Sequence, residues 1–339
     1  MKGSNAVDAS TEEKSPSLET TLGLIGEDLE KVDQEFRKNL KSDVSMISAI
    51  GEHLLCSGGK RFRPILLLFS ARLCGYQGAQ HIAMASLIEF IHTATLLHDD
   101  VVDGAELRRG NASANSLWGN EASVLVGDFL FTKSFSLMVE NGNWKILQAV
   151  SQATTLMAEG ELEELIKTND LTLTEEGYLS IIERKTAVLF SAATHIGGIL
   201  GNVSPDKERA LADFGMDVGI AFQLTDDTLD YTSKEEEFGK EIGIDLQGGK
   251  ITLPLIHALR NCSLEERTLI QKTVDASPMT KEAFFQVGKL IEQYGGIHYT
   301  WERAKQRIER AKNHLEIFPS SKEKKALETL ADYVVARRL

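Results

Sequence analysis

The sequence predicts an all-α protein built as one helical bundle. Apolar residues recur every three or four positions over long stretches, which is the spacing of one face of an α-helix. Only six prolines interrupt the 339 residues, so long helices are possible. Runs that alternate apolar and polar residues, as half-buried strands do, are almost lacking in the sequence. Together these observations favour a helical fold over a mixed or all-β one.

The predicted helices follow one another along the chain. The clearest apolar periodicities cover residues 22–40, 83–102, 151–166, 204–229 and 299–315. Turn-forming residues separate them, at 58–59, 75–78, 141–143, 202–205, 248–249 and Pro278. Residues 1–17 are polar and show no periodicity, so we predict a disordered tail there and one helical domain over residues 18–339.

The composition excludes several classes of protein. Hydrophobic residues make up 42% and charged residues 26%, as in ordinary globular proteins. The net charge of −13 argues against nucleic acid as a partner. The chain begins without an apolar run, and its strongest short one, residues 65–69, is too short to span a bilayer. We therefore predict a cytoplasmic protein without a transmembrane segment.

Two copies of the pattern Asp-Asp-x-x-Asp carry the functional argument. They run from Asp99 to Asp103 and from Asp226 to Asp230, each at the C-terminal end of an apolar helical stretch. Residues four apart are neighbours on a helix, so the outer carboxylates of each copy point the same way. Like charges at a helix end that is already negative call for a cation between them. Oxygen ligands supplied one or two per metal suit Mg²⁺, which completes its shell with water and substrate phosphates.

A solvated acidic helix face is the alternative interpretation of such a motif. For a single copy this alternative is about as good as a metal site. Two copies at matching helix ends favour the metal site, because apolar residues lead directly into each of them, Leu96-Leu97 into the first and residues 222–224 into the second. Both clusters are therefore expected at the edge of the core.

Basic residues near the two motifs could bind a diphosphate directly. Residues 58–64, with the sequence GGKRFRP, place Lys60 and Arg63 just before a helix that we expect Pro64 to start. Arg108 and Arg109 follow the first motif, and arginine forks fit phosphate oxygens. Further candidates are Lys185, Thr186, Lys240 and Lys250. Any one of them alone is more often a surface residue, but their closeness to the acidic motifs favours anion binding.

These residues together resemble the trans-isoprenyl diphosphate synthase family. The resemblance runs from about Leu22 onward: residues 58–64 look like its first basic motif, and the two Asp motifs like its aspartate-rich motifs. Residues 127–130, 185–186, 222–223 and 239–254 match further blocks in the same order. One departure is that residues 111–113 (NAS) follow the two arginines and Gly110, where the family has one residue and then proline. This puts the loop conformation in question and leaves both arginines in place.

The resemblance implies a fold, a metal and a partner. The fold would be the isoprenoid synthase fold, a large antiparallel helical bundle around a central cavity, and the protein would be a homodimer. Two to three Mg²⁺ ions would be held by Asp99, Asp103, Asp226 and Asp230, with Asp100 and Asp227 as secondary ligands. With Lys185, the four main ligands form the expected catalytic set.

Two substrates are implied as well, an allylic diphosphate and isopentenyl diphosphate. The allylic diphosphate would contact Arg108, Lys185, Thr186, Gln223, Lys240 and Lys250. Isopentenyl diphosphate would lie against Lys60, Arg63, His92 and Arg109. His92, seven residues before Asp99, is by itself as well explained as a core histidine. Metals and cations would stabilise the departing diphosphate, and the isopentenyl double bond would attack the allylic cation.

Product length is predicted from the helix ahead of the first motif, where bulk closes the product tunnel in this family. Ala94 and Thr95 are small, and Ala94 lies roughly 7.5 Å below Asp99 at 1.5 Å per residue. The growing tail could therefore pass towards Ile91, Leu87 and Ile88. We predict a long product, about C40 to C50, of the kind that supplies quinone side chains. Alternatively, Ala94 only permits close helix packing.

Two other functions compete with this prediction. A class I terpene cyclase shares metal-triggered ionisation but would not need a second diphosphate site at Lys60, Arg63 and His92. A non-catalytic subunit of a heteromeric synthase would be expected to have lost aspartates or arginines of the motifs, and all of them are present here.

Overall fold

A computed structural model describes residues 17–56, 58–108, 110–232, 243–276 and 279–337 of the chain. It confirms the predicted all-α bundle. The helices are α1 (Leu18–Gly23), α2 (Gly26–Asn39), α3 (Ser45–Cys56), α4 (Phe62–Leu73), α5 (Gln80–Val102), α6 (Ala114–Trp118), α7 (Asn120–Asn141), α8 (Trp144–Ile166), α9 (Glu175–Ile182), α10 (Val188–Leu200), α11 (Pro205–Thr232), α12 (Ile244–Gln247), α13 (Leu253–Asn261), α14 (Leu264–Val274), α15 (Lys281–Gln293), α16 (Gly296–His314) and α17 (Lys322–Ala336). A π-helical turn (Glu183–Ala187) joins α9 to α10, and a 3₁₀ turn (Leu315–Ile317) follows α16.

The chain termini and one predicted break need separate mention. Residues 1–16 of the predicted tail lie outside the described residues, and so does Pro278. Ser17, the last residue of that predicted tail, caps α1, because its hydroxyl accepts a hydrogen bond from the amide of Thr20. The division into a tail and a domain stays a prediction.

Two helix boundaries differ from the sequence-based expectation. The helix predicted over residues 22–40 is two helices, α1 and α2, which a turn at Leu24-Ile25 separates. Helix α4 begins at Phe62 rather than at Pro64, so Arg63 lies inside its first turn. Proline is tolerated there because the first turn of a helix leaves its amides without intrahelical partners.

The core lies where α4, α5, α10 and α11 pack together. Its largest fully buried side chains include Phe69, Phe90, Phe190 and Phe214. Helices α10 and α11 approach closely at Gly215, where a Cβ would lie 2.5 Å from the carbonyl oxygen of Phe190. Glycine is therefore required at this helix crossing. The close packing fixes the position of α11, which carries the second aspartate motif.

A short hairpin follows the first aspartate motif and was not predicted. Its strands are β1 (Leu107–Arg108) and β2 (Asn111–Ala112), paired antiparallel with Arg108 opposite Asn111. Gly110 turns the chain with a φ of 78°, which glycine adopts without strain. The hairpin answers the question raised by the departure from the family pattern, because it fixes Arg108 beside the motif.

Helix α7 is long and apolar enough to cross a membrane by length and composition alone. Its most apolar 18-residue window has a mean hydropathy of 1.4, and 39% of that window is buried inside the protein. One side of α7 packs along α5. A helix of a bundle passes the same test of length and composition, and α7 is a helix of this bundle.

Candidate active site

The first aspartate motif lies at the end of α5, as the sequence predicts. Asp99 and Asp100 occupy its last turn, and Asp103 is the C-cap residue. Asp100 is almost fully buried and accepts two hydrogen bonds of 2.8 Å from Nε of Arg108. Arg108, a predicted diphosphate ligand, is thereby anchored next to the motif. Asp99 and Asp103, rather than Asp100, are left facing the site.

The second motif lies near the end of α11. Asp227 is buried and accepts hydrogen bonds from the hydroxyl of Tyr178 and, at 2.7 Å, from the side-chain amide of Gln223. Asp230 accepts the backbone amides of Ile244 and Asp245, each at 3.2 Å. Like Asp100 in the first motif, the middle aspartate of the second is held by protein side chains.

Two lysines pair with acidic residues of the first motif and of α8. Nζ of Lys250 lies 2.9 Å from Asp103 and 3.8 Å from Glu164, and Nζ of Lys185 lies 2.6 Å from Glu164 and 2.8 Å from Glu161. Lys250 follows the α12 segment whose amides bind Asp230. The ion pairs therefore connect the first motif to α8, and the backbone between α12 and Lys250 connects it to the second motif. Glu161 and Glu164, both on α8, were not among the predicted site residues.

A small cavity opens at this network. Its volume is about 90 Å³, and its polar lining consists of Glu164, Lys167, Tyr178, Lys185, Thr186, Gln223, Asp227, Asp245, Lys250 and Thr252. Apolar side chains, among them Ile181 and Ile182, complete the wall. Four predicted ligands of the allylic diphosphate are thus brought to one place: Lys185, Thr186, Gln223 and Lys250. Thr186 and Gln223 also contact each other, with a hydrogen bond of 3.0 Å.

The carboxylates of the site repel one another. Burial, together with the charges of Glu161 and Asp103, raises the pKa of Asp99 to about 7. Burial and the charge of Asp230 raise the pKa of Asp245 to about 7 as well. Burial alone would lower the pKa of Lys185, but Glu164, Glu161 and Asp99 together raise it. Further positive charge at this site would therefore be stabilising.

The carboxylates of the site fit a magnesium ion whose coordination shell is completed by water and a substrate. Within the described ranges no group of three or more histidines, cysteines or acidic residues is arranged to hold a metal by itself. Asp99 and Asp103 stand one helical turn apart, and Asp226 and Asp230 repeat that spacing. Mg²⁺ is commonly bound by one or two carboxylates and completed by water and phosphate oxygens. The arrangement matches this mode and not a closed protein cage.

The π-helical turn shapes the backbone at Lys185 and Thr186. Helix α8 runs close to it, since a Cβ on Gly160 would lie 2.6 Å from the amide nitrogen of Lys185. Glycine at position 160 permits this approach and lets Glu161 and Glu164 reach the Lys185 ammonium. Single π-helical turns are rare and frequently occur at functional sites.

The basic segment of residues 58–64 lies against the C-terminal helix α17. Nζ of Lys60 donates a hydrogen bond of 2.6 Å to the hydroxyl of Tyr333. The Arg63 guanidinium lies 4.3 Å from the ring centroid of Phe190, which is 5.2 Å from that of Phe222. Of the predicted ligands of isopentenyl diphosphate, Arg63 therefore lies beside an aromatic pair that includes Phe222, four residues before the second motif, and Lys60 lies against Tyr333 of α17.

Arg337 is a site residue that the sequence analysis missed. Its guanidinium lies 4.0 Å from the Phe222 ring centroid and 3.2 Å from the carboxylate of Asp226. Within this guanidinium, Nη1 pairs with Asp226, whereas Nη2 is buried without a hydrogen-bond partner in the described part of the chain. The pairing depends on α17 folding back onto α11, a contact between distant parts of the chain.

The remaining predicted residues divide into three groups. His92 is half-buried on α5, two turns before Asp99. Ile91 and Ala94 are fully buried in the core, and the Thr95 hydroxyl donates to the carbonyl oxygen of His92 at 2.8 Å. Arg109 and Lys240 lie outside the described residues.

Comparison with known proteins shows strong similarity over the whole fold. Residues 44–290 match the family model of the polyprenyl synthetases. The octaprenyl diphosphate synthase of Escherichia coli (strain K12) is 41% identical over 321 residues, which cover 95% of this chain and 99% of that protein. A crystal structure of a polyprenyl synthase from Caulobacter crescentus CB15, complexed with calcium and isoprenyl diphosphate, has a TM-score of 0.92 and 41% identity and covers 96% of this chain and 100% of its own. A decaprenyl diphosphate synthase from Rhodobacter capsulatus gives 0.89 at 40% identity, over 94% of this chain and 99% of its own.

These similarities confirm the resemblance indicated by the aspartate and basic motifs. The family model spans well over half of the chain, and the relatives align over nearly their full length. The chain therefore belongs to the polyprenyl synthetase family of trans-isoprenyl diphosphate synthases, and it is a prenyltransferase.

Proposed function

We infer that this prenyltransferase is a long-chain all-trans polyprenyl diphosphate synthase, which adds isopentenyl units to an allylic diphosphate. The observation that carries the inference is that Lys250, which pairs with Asp103 of the first motif, lines one cavity together with Lys185 and with Asp227 of the second motif. A single site with two acidic walls and two lysines suits a diphosphate bridged to metal ions. Two of the relatives described above are an octaprenyl diphosphate synthase and a decaprenyl diphosphate synthase.

We propose that Asp99 and Asp103 on one wall, and Asp226 and Asp230 on the other, hold two to three Mg²⁺ ions. The Caulobacter structure is complexed with calcium, which supports a divalent metal in this fold. When bound, the metal supplies positive charge for a departing diphosphate. Lys185, Lys250 and Arg108 add donors to the same group, and Thr186 and Gln223 orient it.

The reaction then proceeds in three steps. The C–O bond of the allylic diphosphate breaks, leaving an allylic cation and a diphosphate that Lys185 and Lys250 bind. The double bond of isopentenyl diphosphate, held by Lys60, Arg63, His92 and Arg109, attacks the cation and forms a new C–C bond. The released diphosphate accepts a proton from the resulting cation, and the loss of this proton restores a double bond. Apolar walls such as Ile181 and Ile182 exclude water from the cation.

The proposed product is long, about C40 to C50, and serves as a quinone side chain. Ala94 precedes Asp99 by five residues on α5. Its small side chain leaves room for the growing tail to reach Ile91, which lies about one turn further from the motif. Both side chains are apolar and lie in the core, so a tail that passes there would contact hydrocarbon rather than water.

We propose that the protein is a cytoplasmic homodimer that pairs through α7. Val124, Leu125, Phe135 and Val139 are exposed on this helix, and at 100° per residue they share one face about 100° wide. An apolar face of this kind is covered in most proteins by another surface. A charged substitution such as Leu125→Glu should convert a dimer into monomers in light scattering, whereas an unchanged mass would place the interface elsewhere.

Incubation of the purified chain with Mg²⁺, farnesyl diphosphate and labelled isopentenyl diphosphate tests the proposed function. We expect a ladder of linear prenyl diphosphates that ends at C40 to C50. A cyclised hydrocarbon made without isopentenyl diphosphate would indicate a terpene cyclase. Activity only after addition of another protein would indicate a subunit of a heteromeric synthase.

A further inference from the structure

Arg61 lies between two predicted ligands of isopentenyl diphosphate, Lys60 and Arg63, but its side chain goes elsewhere. Its guanidinium lies 2.6 Å from the Glu89 carboxylate on α5 and 3.3 Å from Asp33 on α2. It also lies 5.9 Å from the ring centroid of Phe36 on α2. The contacts therefore join the start of α4 to two neighbouring helices.

The backbone of Arg61 is strained. Arg61 is the N-cap residue of α4, and its φ of 49° and ψ of 34° fall in the left-handed region. A residue with a Cβ adopts this conformation only when surrounding contacts compensate for its cost. The buried carboxylate of Glu89 is such a contact, because it accepts from Nη1 of Arg61 a charge-assisted hydrogen bond, which is among the stronger hydrogen bonds in proteins.

The ion pair joins the two elements that supply the isopentenyl diphosphate site. Lys60 and Arg63 flank Arg61 on the loop and first turn of α4, whereas His92 lies on α5, three residues after Glu89. Residues three apart on a helix are neighbours on its surface. Holding Arg61 against Glu89 therefore fixes the distance between the basic segment and the part of α5 that carries His92.

We propose that Arg61 and Glu89 are positioning residues for isopentenyl diphosphate. The proposal rests on the proposed function and adds two residues that themselves lie outside the substrate's reach. The left-handed turn at Arg61 directs its side chain towards α2 and α5. Lys60 and Arg63 are thereby left to face the proposed substrate. Without the anchor, the loop relaxes and the three ligands lose their common geometry.

Two single variants and their combination test the proposal. Arg61→Gly keeps the left-handed backbone conformation accessible but removes the guanidinium. Glu89→Gln removes the negative charge that pairs with Arg61. We expect each to raise the KM for isopentenyl diphosphate about tenfold while the KM for the allylic diphosphate changes by less than about twofold. The double variant should be no worse than the more impaired single variant, because the two residues act as one unit.

Arg72→Ala is the matched control. Arg72 lies at the other end of α4 and pairs with Asp28 on α2 at 2.7 Å, so it joins α4 to α2, as the contact of Arg61 with Asp33 does, but away from the proposed substrate site. It should lower the melting temperature without changing the ratio of the two KM values. Arg61→Lys keeps the positive charge but not the planar guanidinium. It should therefore recover part of the isopentenyl diphosphate affinity that Arg61→Gly loses.

The outcomes separate this inference from the proposed function. If the unsubstituted protein does not elongate allylic diphosphates, the proposed function fails before the variants are compared. If it does, and Arg61→Gly and Glu89→Gln only lower the melting temperature as Arg72→Ala does, the pair is a structural tie and the inference is overturned. Should Arg61→Gly not fold, Glu89→Gln alone decides the question by the same ratio.

Discussion

The ammonium of Lys250 lies 2.9 Å from the carboxylate of Asp103, although the two residues are 147 positions apart in the sequence. Lys250 follows the segment that binds Asp230, so this contact brings the regions of the two aspartate motifs together. Burial alone would lower the pKa of Lys250, but the charges of Glu164 and Asp103 raise it. The lysine therefore stays protonated, as a diphosphate ligand must.

Removing this charge should weaken binding of the allylic substrate specifically. We expect Lys250→Gln to raise the KM for the allylic diphosphate about tenfold or more, since hydrogen bonds to charged groups contribute about 1.5–3 kcal/mol. Steady-state kinetics with each substrate varied in turn measure the effect. Lys145→Gln is the control, because Lys145 is exposed and its partner Glu208 on α11 is not a residue of the proposed site. An equal rise in the KM for isopentenyl diphosphate would speak against the assignment.

The outer aspartates should matter for turnover rather than for folding. We expect Asp226→Asn to lower kcat roughly 10²–10³-fold, the usual effect of removing one group that stabilises developing charge. Higher Mg²⁺ concentrations should recover part of the lost rate. Asp213→Asn on the exposed side of the same helix should leave the rate unchanged. Full activity of Asp226→Asn would remove this residue from the metal site.

Product length should respond to bulk at Ala94. We expect Ala94→Phe to shorten the final product by several isoprene units, because the ring would fill the channel about 7.5 Å below Asp99. Chromatography of labelled products measures the change. Ala85→Phe is a matched control: Ala85 is also fully buried on α5 but lies about 180° around the helix. If both variants give the same products as the original chain, Ala94 only permits close packing.

A buried ion-pair cluster should make stability depend on pH. Burial would raise the pKa of Glu175, but hydrogen bonds from Tyr299 and Arg260, with the charge of Arg303, lower it below its usual 4.5. A carboxylate with a lowered folded-state pKa stabilises the fold above its unfolded-state pKa, and this contribution is lost as the pH falls through the folded-state value.

Glu175→Gln should therefore lower the free energy of unfolding by about 1–3 kcal/mol at pH 7. The difference from the original chain should shrink as the pH is lowered below 4.5. Urea titrations at several pH values measure both effects. Glu176→Gln at the exposed neighbouring position should show neither. A difference that stays constant with pH would mean that the charge of Glu175 is not what stabilises the cluster.

Local patterns in the sequence were enough to predict the helices and the two motifs. Apolar spacing located α5 and α11, and the Asp-Asp-x-x-Asp pattern located their ends. The break at Leu24-Ile25 was missed, although Gly23 and Gly26 flank it, because the apolar spacing of Leu22, Ile25 and Leu29 continues through it. The hairpin was missed because β1 and β2 are two residues each, too short to show an alternating pattern.

Contacts between distant segments could not be predicted from the sequence. Glu161 and Glu164 belong to an acidic run around Gly160 on α8, a signal that could have marked them, but their lysine partner lies on another element. The pairing of Arg337 with Asp226 depends on how α17 folds back. The family resemblance made Asp100 a secondary ligand, but only the folded hairpin shows that Arg108 binds it.

The central claim is that the two acidic helix ends share one metal-bound diphosphate. A crystal structure with Mn²⁺ and an unreactive allylic thiodiphosphate, using the anomalous signal of the metal, tests it most directly. The account predicts metal peaks beside Asp99 and Asp103 and beside Asp226 and Asp230, all contacting a single diphosphate that Lys185 and Lys250 also bind. Metal peaks at one motif only, or a diphosphate bound away from both lysines, would contradict it.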